Sequence, residues 1–346
     1  MCSDVWICVV SVVSIFTAEC LGYIAQKKIC ILVLREIELI LHKGNYFMSL
    51  KKFFSNLNLL RKIELKRLNN IEGRNKVLLD NMYIDIIDQL MYELPKSNVK
   101  RPLIKDYNQT VDTLISSDKS IARFGDGEIK IISGESIEFQ EYDAYLATRL
   151  KSILENKNDR VMVGINYDYY YPDIQLLLPT VACFYRINSP KLRKNMNPYL
   201  NWNSQYYSAA FTQLYMFYQN MDFDTYFEKL RQIWNKKDVL IVACKELVNT
   251  IKYNIFDNAN KTDYFFAPNK NAFSKYDEIY KGIKNFGNNT LVILMLGPTA
   301  KVLADDLSKD GYRALDLGHL MKDYDWYKKG MNRDFEGVNN YMSMDK

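Results

Sequence analysis

The chain has 346 residues, 48% hydrophobic and 14% aromatic, enough to bury at least one large core within one or two globular domains. Its 46 basic and 41 acidic residues leave a formal charge of +5, a balance that excludes nucleic acid as the main partner and permits an anionic ligand. Six cysteines, at 2, 8, 20, 30, 183 and 244, form no CxxC pair, which argues for reduced thiols in a cytoplasm over a disulfide framework. The two histidines, His42 and His319, exclude most His-rich zinc sites and leave His319 as the imidazole of the body of the chain.

The first element, "VWICVVSVVSIFTA" at residues 5–18, is shorter than the roughly 20 residues that span a bilayer and lacks the basic start of a signal peptide. A second apolar run, "ICILVLREIELIL", carries charges and suits a peripheral or packed helix. Met48 is an alternative start, which would make residues 1–47 a non-native leader. Residues 51–76 are basic with interleaved Phe, Leu and Ile, a composition able to lie on an anionic membrane surface; a solvated helix packing one face is the plainer account.

From about residue 80 the pattern becomes regular. "SIARFGD" is predicted as a strand, and "EYDAYLATRLKSILEN" as a helix with Tyr142, Tyr145, Leu146, Leu150, Ile153 and Leu154 on one face. "RVMVGIN" is a strand, "DTYFEKLRQIW" a helix, "DVLIVAC" and "TDYFFAP" strands, "KYDEIYKGIKNF" a helix and "TLVILMLG" a buried strand. "PTAKVLADDLSKDG" is a helix with Pro298 in its first turn and Gly311 as its stop, and "YRALDLG" closes the series. Apolar strands alternating with helices predict an α/β fold, a mostly parallel sheet with helices on both faces. The expected organisation is an N-terminal helical segment at 1–79, a catalytic domain at 80–335 and a tail at 336–346.

In such sheets ligands gather at the carboxyl ends of strands. In "RFGDGE", Gly125 and Gly127 allow close backbone approach, and Asp126 and Glu128 point the same way if the chain stays extended. Two convergent carboxylates suit a hard divalent cation bridging a diphosphate; a polar turn with solvated acids has the same short spacing. In "MLGPTAKVLADDL", the turn through Gly297 into Pro298 and Thr299 offers free N–H groups and a helix dipole to phosphate, or is an ordinary strand-to-helix turn. "LDLGHLMKDYDW" sets Asp316, His319, Asp323 and Asp325 beyond the last strand, where His319 serves as a general base, a phosphate donor or a cap. No GxGxxG follows the early strands and no GxxxxGK[ST] occurs, which weighs against a dinucleotide fold and a P-loop NTPase.

Together, "RFGDGE", "NAFSKYDEI", "LVILMLGPTAKVLADDLSKDGYRALDLGH" and "DYDW" resemble the bacterial glycosyltransferase family of GT-D fold, first catalogued as domain of unknown function 1792. The resemblance implies a Rossmann-like fold and transfer of a sugar from a nucleotide diphosphate donor, UDP-glucose in the best known member, to a glycan, lipid-linked or glycoprotein acceptor during surface polysaccharide, capsule or glycoprotein glycan synthesis. It also implies a cytoplasmic protein at the inner membrane face. The family's DxE motif falls on Asp126 and Glu128, which would hold Mn²⁺ or Mg²⁺. The donor is then expected against Arg123, Phe124, Gly125 and Gly127 in the first place and Gly297, Pro298 and Thr299 in the second. His319, Asp316 and Asp325 are the candidates for activating the acceptor.

The sequence also departs from that pattern. Thr212 and Gln213 stand where relatives carry Ser-Arg or Thr-Arg. "CKELVNTIKYNIFDNAN" has lost a Gly-rich, Arg-bearing stretch, for which Lys245 and Lys252 are point-charge substitutes without bidentate geometry. Met321 replaces an acid two residues after the family histidine. Two rival classes follow: a phosphate-binding sugar-nucleotide hydrolase, and a degenerate partner of another glycosyltransferase that binds nucleotide weakly or without metal.

Overall fold

In a computed structural model of the chain, residues 73–93, 98–334 and 336–338 are described. The two apolar runs near the N-terminus, the Met48 start, most of the basic segment and the extreme tail lie outside the described residues. Among those described, no helix is long and apolar enough to cross a membrane.

Residues 88–346 form the compact unit that carries the sheet. Its eight described strands are β1 (Leu103–Lys105), β2 (Ser120–Phe124), β3 (Val161–Ile165), β4 (Gln205–Ser208), β5 (Asp238–Ala243), β6 (Lys261–Phe266), β7 (Leu291–Leu294) and β8 (Ala314–Asp316). All pair in parallel, in the order β1-β4-β3-β2-β8-β7-β5-β6. A sheet of this kind is covered on both faces, so its central strands are apolar throughout rather than alternating. Every residue of β2, β3 and β7 is buried accordingly.

The chain leaves β2 towards β3 and β4 on one side, whereas β8 arrives from the side of β7. Progress along the sheet therefore reverses between β2 and β8, which touch through Ile121 and Leu315. A crevice opens outside the carboxyl ends of strands at such a switch point.

The helix Pro298–Lys309 packs on β2, β3 and β8 and against the helix Ala144–Leu154. It starts with proline, whose missing N–H is no loss in a first turn, and ten of its twelve residues are buried. The helix Ala144–Leu154 is capped by Asp143, which accepts the Leu146 N–H. Leu146, Leu150, Ile153 and Leu154 form its buried face as predicted. Tyr142 and Tyr145 do not: they are 45% and 62% exposed, because Tyr142 precedes the helix and Ala147 takes the inward position.

The helices Tyr107–Ser116, Pro179–Met196 and Leu320–Lys329, together with β1 and β4, were not predicted. Both strands are short and partly polar, and the second of these helices carries Pro190 in its interior.

Candidate functional site

Every strand of the switch point delivers a polar group to the same end of the sheet. β2 ends at Phe124, and the helix Asp126–Ile132 begins at once, with Gly125 as its N-cap. This overturns the expectation of an extended chain through Asp126 and Glu128. Positions two apart on a helix diverge by about 200°, so the two carboxylates point apart. The Asp126 side chain is 45% exposed and meets Lys130 at 3.2 Å. Glu128 turns inward, and its Oε2 accepts the Gly125 N–H at 2.8 Å, the backward reach of a glutamate in the third position of a helix.

The other Glu128 oxygen, Oε1, lies 2.9 Å from Nζ of Lys301, which also meets Asp316 Oδ2 at 3.1 Å. Lys301 stands one turn after Gly297 and donates its third proton to the Gly297 carbonyl at 3.0 Å. The three hydrogens of the ammonium are thus all placed. Asp316, at the end of β8 and wholly buried, accepts the backbone N–H of Arg123 at 3.0 Å. Burial opposes its charge, yet the adjoining Lys301 and Arg123 cations hold its carboxyl below the usual range.

The Arg123 guanidinium gives Nε to the Asp316 carbonyl at 2.8 Å. Its Nη1 binds the Ala209 carbonyl at 2.8 Å and Thr212 Oγ1 at 2.6 Å, and Nη2 stands 3.5 Å from Asp316 Oδ1. Thr212 is therefore the side-chain acceptor that fixes Arg123. Glu128, Lys301, Asp316 and Arg123 form one chain of alternating charge joining the ends of β2 and β8 to the Pro298 helix. The two acids and two bases balance, and Asp126 stands outside them.

Gly297 has φ +51 and ψ −134, a region that side chains other than glycine's rarely enter. A Cβ there would stand 2.8 Å from the ring of Phe139. The Phe139 loop is pinned by Asn271, whose N–H reaches the Phe139 carbonyl at 2.8 Å and whose Oδ1 accepts the Glu141 N–H at 2.7 Å. The "NAFSKYDEI" segment thereby forms one wall beside the Pro298 turn. Thr299 is buried, and its Oγ1 has no hydrogen-bond partner among the described residues.

The remaining candidates separate. Phe124 is core, 1% exposed, and Gly127 lies 3.3 Å from Ile137 at its would-be Cβ. His319 is partly exposed at the start of the Leu320–Lys329 helix, without capping it through its side chain. Asp325 is buried, and one of its oxygens accepts the N–H groups of Lys252 and Tyr253 at 2.9 and 3.0 Å. The other takes the Lys329 ammonium. Its carboxylate latches the 252–253 loop. The Lys252 and Lys245 ammonium groups lie over the rings of Tyr253 and Phe266.

A polar cluster that the sequence analysis did not single out lies beyond β3. Asp168 accepts the Tyr218 hydroxyl at 2.6 Å, and Asn166 donates to Tyr185 Oη at 2.7 Å. Burial pushes Asp168 up to about 7, against the Tyr218 hydrogen bond that lowers it. Burial also drives Tyr169 and Tyr185 well above the ordinary phenol range, with Asp126 adding to both. These tyrosines therefore lie within electrostatic reach of Asp126. The "INYDYYYP" run was the available signal, since polar residues at the end of an all-apolar strand in a parallel sheet fall on the ligand-bearing edge.

As a ligand set, Asp126 fits a divalent cation that takes one carboxylate and completes its sphere with phosphate oxygens and water. Glu128 already has one cationic or N–H partner on each oxygen, Lys301 on Oε1 and Gly125 on Oε2.

Residues 121–342 match the family described as Glycosyltransferase GT-D fold. The chain is 33% identical over 229 residues to the probable glycosyl transferase Gly of Streptococcus gordonii, covering 64% of this chain and 33% of that protein. It is 29% identical over 272 residues to glycosyltransferase GlyD of Streptococcus pneumoniae serotype 4, covering 77% and 32%. The chain thus spans about a third of the length of these curated relatives. Among solved structures, a glycosyltransferase (DUF1792) from Streptococcus sanguinis superposes with a TM-score of 0.62 at 31% identity over 66% of this chain and 86% of that one. A second, described as the highly conserved domain of unknown function 1792 with a distinct glycosyltransferase fold, gives 0.63 at 29% identity over 72% and 86%.

Proposed function

Because the chain belongs to the glycosyltransferase GT-D fold family, we propose that it moves a sugar from a nucleotide diphosphate donor of the UDP-glucose kind to a saccharide acceptor of a surface polysaccharide or glycoprotein glycan. The observation that carries this reading is the meeting of the β2 and β8 ends with the start of the Pro298 helix, drawn together by Lys301 and leaving Asp126 outward.

A divalent cation held by Asp126 would neutralise the charge that develops on the departing nucleoside diphosphate. The Gly297–Thr299 turn supplies N–H groups and the unpartnered Thr299 hydroxyl for phosphate oxygens. Arg123 and Asp316 hold the ends of β2 and β8 in register around the donor. Of the three candidate bases, Asp316 is held ionised by two cations and Asp325 is occupied by a loop. His319, partly exposed at the start of the Leu320–Lys329 helix, is the residue we assign to receive the acceptor proton.

The reading is tested by incubating the chain with UDP-glucose and Mn²⁺, with and without saccharide acceptors. Acceptor-accelerated release of UDP with the sugar appearing in a larger glycan is expected. Acceptor-independent conversion to free glucose would place the chain among the hydrolases instead.

A further inference from the structure

Two carboxylate oxygens and one carbonyl oxygen converge on a single cationic atom at this switch point: Glu128 Oε1 at 2.9 Å, Asp316 Oδ2 at 3.1 Å and Gly297 O at 3.0 Å from Lys301 Nζ. Carboxylate, carboxylate and carbonyl is a ligand set that hard divalent cations favour. Here an amino acid supplies the charge. Lys301 is 4% exposed and Asp316 is wholly buried, and charges taken out of water cost free energy unless they are paired.

We propose that Lys301 is the site's built-in counter-cation. It is a positioning residue that ties Glu128 to Asp316 where a divalent ion would otherwise sit, so that Glu128 acts as a strut for the Gly125 turn. The corollary, that Asp126 is the carboxylate left to meet a metal-bound diphosphate, rests on the transferase reading. The strut itself does not.

The geometry also explains why the lysine must come from the Pro298 helix. Its position four residues after Gly297 lets one side chain reach back to that carbonyl and across to both acids. The strained Gly297 turn, the Gly125 turn and the end of β8 are then fixed by one atom.

Melting curves of the native chain, Lys301→Arg, Lys301→Met and Lys301→Met/Glu128→Gln, recorded with increasing Mn²⁺ and no nucleotide, test the proposal. Removing the ammonium exposes a latent divalent site. Lys301→Met is therefore expected to melt earlier than the native chain without metal and to recover with Mn²⁺. Its apparent affinity for the ion should be about ten-fold tighter than that of the native chain or Lys301→Arg. The added Glu128→Gln change should abolish that recovery. If Lys301→Met fails to fold without metal, Mn²⁺ should fold it.

A Lys301→Met protein whose melting ignores Mn²⁺, or whose recovery survives Glu128→Gln, would overturn the assignment, since a lysine that merely fills space predicts no gain in metal affinity. Because no donor is present, the outcome separates from that of sugar transfer. Turnover without the Mn²⁺ gain removes the strut alone, and the gain without turnover removes the transferase reading alone.

Discussion

Gly318 makes the room that Arg123 occupies. A Cβ on residue 318 would stand 1.9 Å from Nη2 of Arg123, and Gly318 holds φ +48. The glycine before His319 and the arginine at the end of β2 therefore form one unit, in which the guanidinium takes the space a side chain at 318 would fill. Gly318→Ala should cost roughly 2–4 kcal/mol, from the left-handed backbone and the displaced guanidinium together. Chemical denaturation of the two proteins side by side measures it. An alanine variant as stable as the native chain would show that Arg123 has another place to go.

The roles of His319 and Asp325 separate by variant. His319→Gln should lower kcat by about 10²–10⁴, the usual contribution of a positioned acid or base. Asp325→Ala leaves the Lys252 and Tyr253 amides without their acceptor and should destabilise by roughly 2–3 kcal/mol. Paired turnover and melting measurements decide: a larger kcat loss at residue 325 than at 319, with stability intact, would reverse the assignment of the base.

Two buried acids make stability fall as pH rises from acid to neutral. Asp168 is raised to about 7, and burial raises Asp323 to about 8 even though it accepts the Tyr215 and Met216 N–H groups. Both folded-state values exceed the ordinary aspartate value, so the folded chain binds more protons than the unfolded one between them. Their contribution is fully present below about pH 4 and is lost as pH rises through 7 to 8, at up to about 1.4 kcal/mol per pH unit for each group. Melting temperature should fall between about pH 4 and 8, and Asp168→Asn should flatten the part of that fall below about pH 7. An Asp168→Asn profile as steep as the native one would mean that the Asp168–Tyr218 pair is not the source. Asp316 has the opposite sign: its stabilisation is present above the ordinary aspartate value and is lost in acid, as pH falls through its lowered value.

What the sequence disclosed and what it hid follow from chemistry. β2, β3, β5 and β7 were legible because strands covered on both faces must be apolar without a break. β1, "LIK", and β4, "QYYS", lie away from the centre of the sheet and are too short to carry a period. Asp126 and Glu128 were found as a pair, but their divergence was not. The spacing from Gly125 to Glu128 is also that of an N-cap and the third helical residue, and that local preference ended the strand. Lys301 escaped notice because a lysine in "PTAKVLADDL" looks like part of a solvated face. Only the burial of that helix on nearly all sides, a tertiary fact, turns it inward.

Asp126 is expected to present a cation-bound diphosphate donor at the β2–β8 switch point. Calorimetric titration of UDP-glucose into the native chain and Asp126→Ala, each with and without Mn²⁺, tests it most directly. Binding should require Mn²⁺ in the native protein and be lost in the variant. Native protein that is well folded and shows no metal-dependent donor binding, or an Asp126→Ala protein that binds as the native one does, would contradict it.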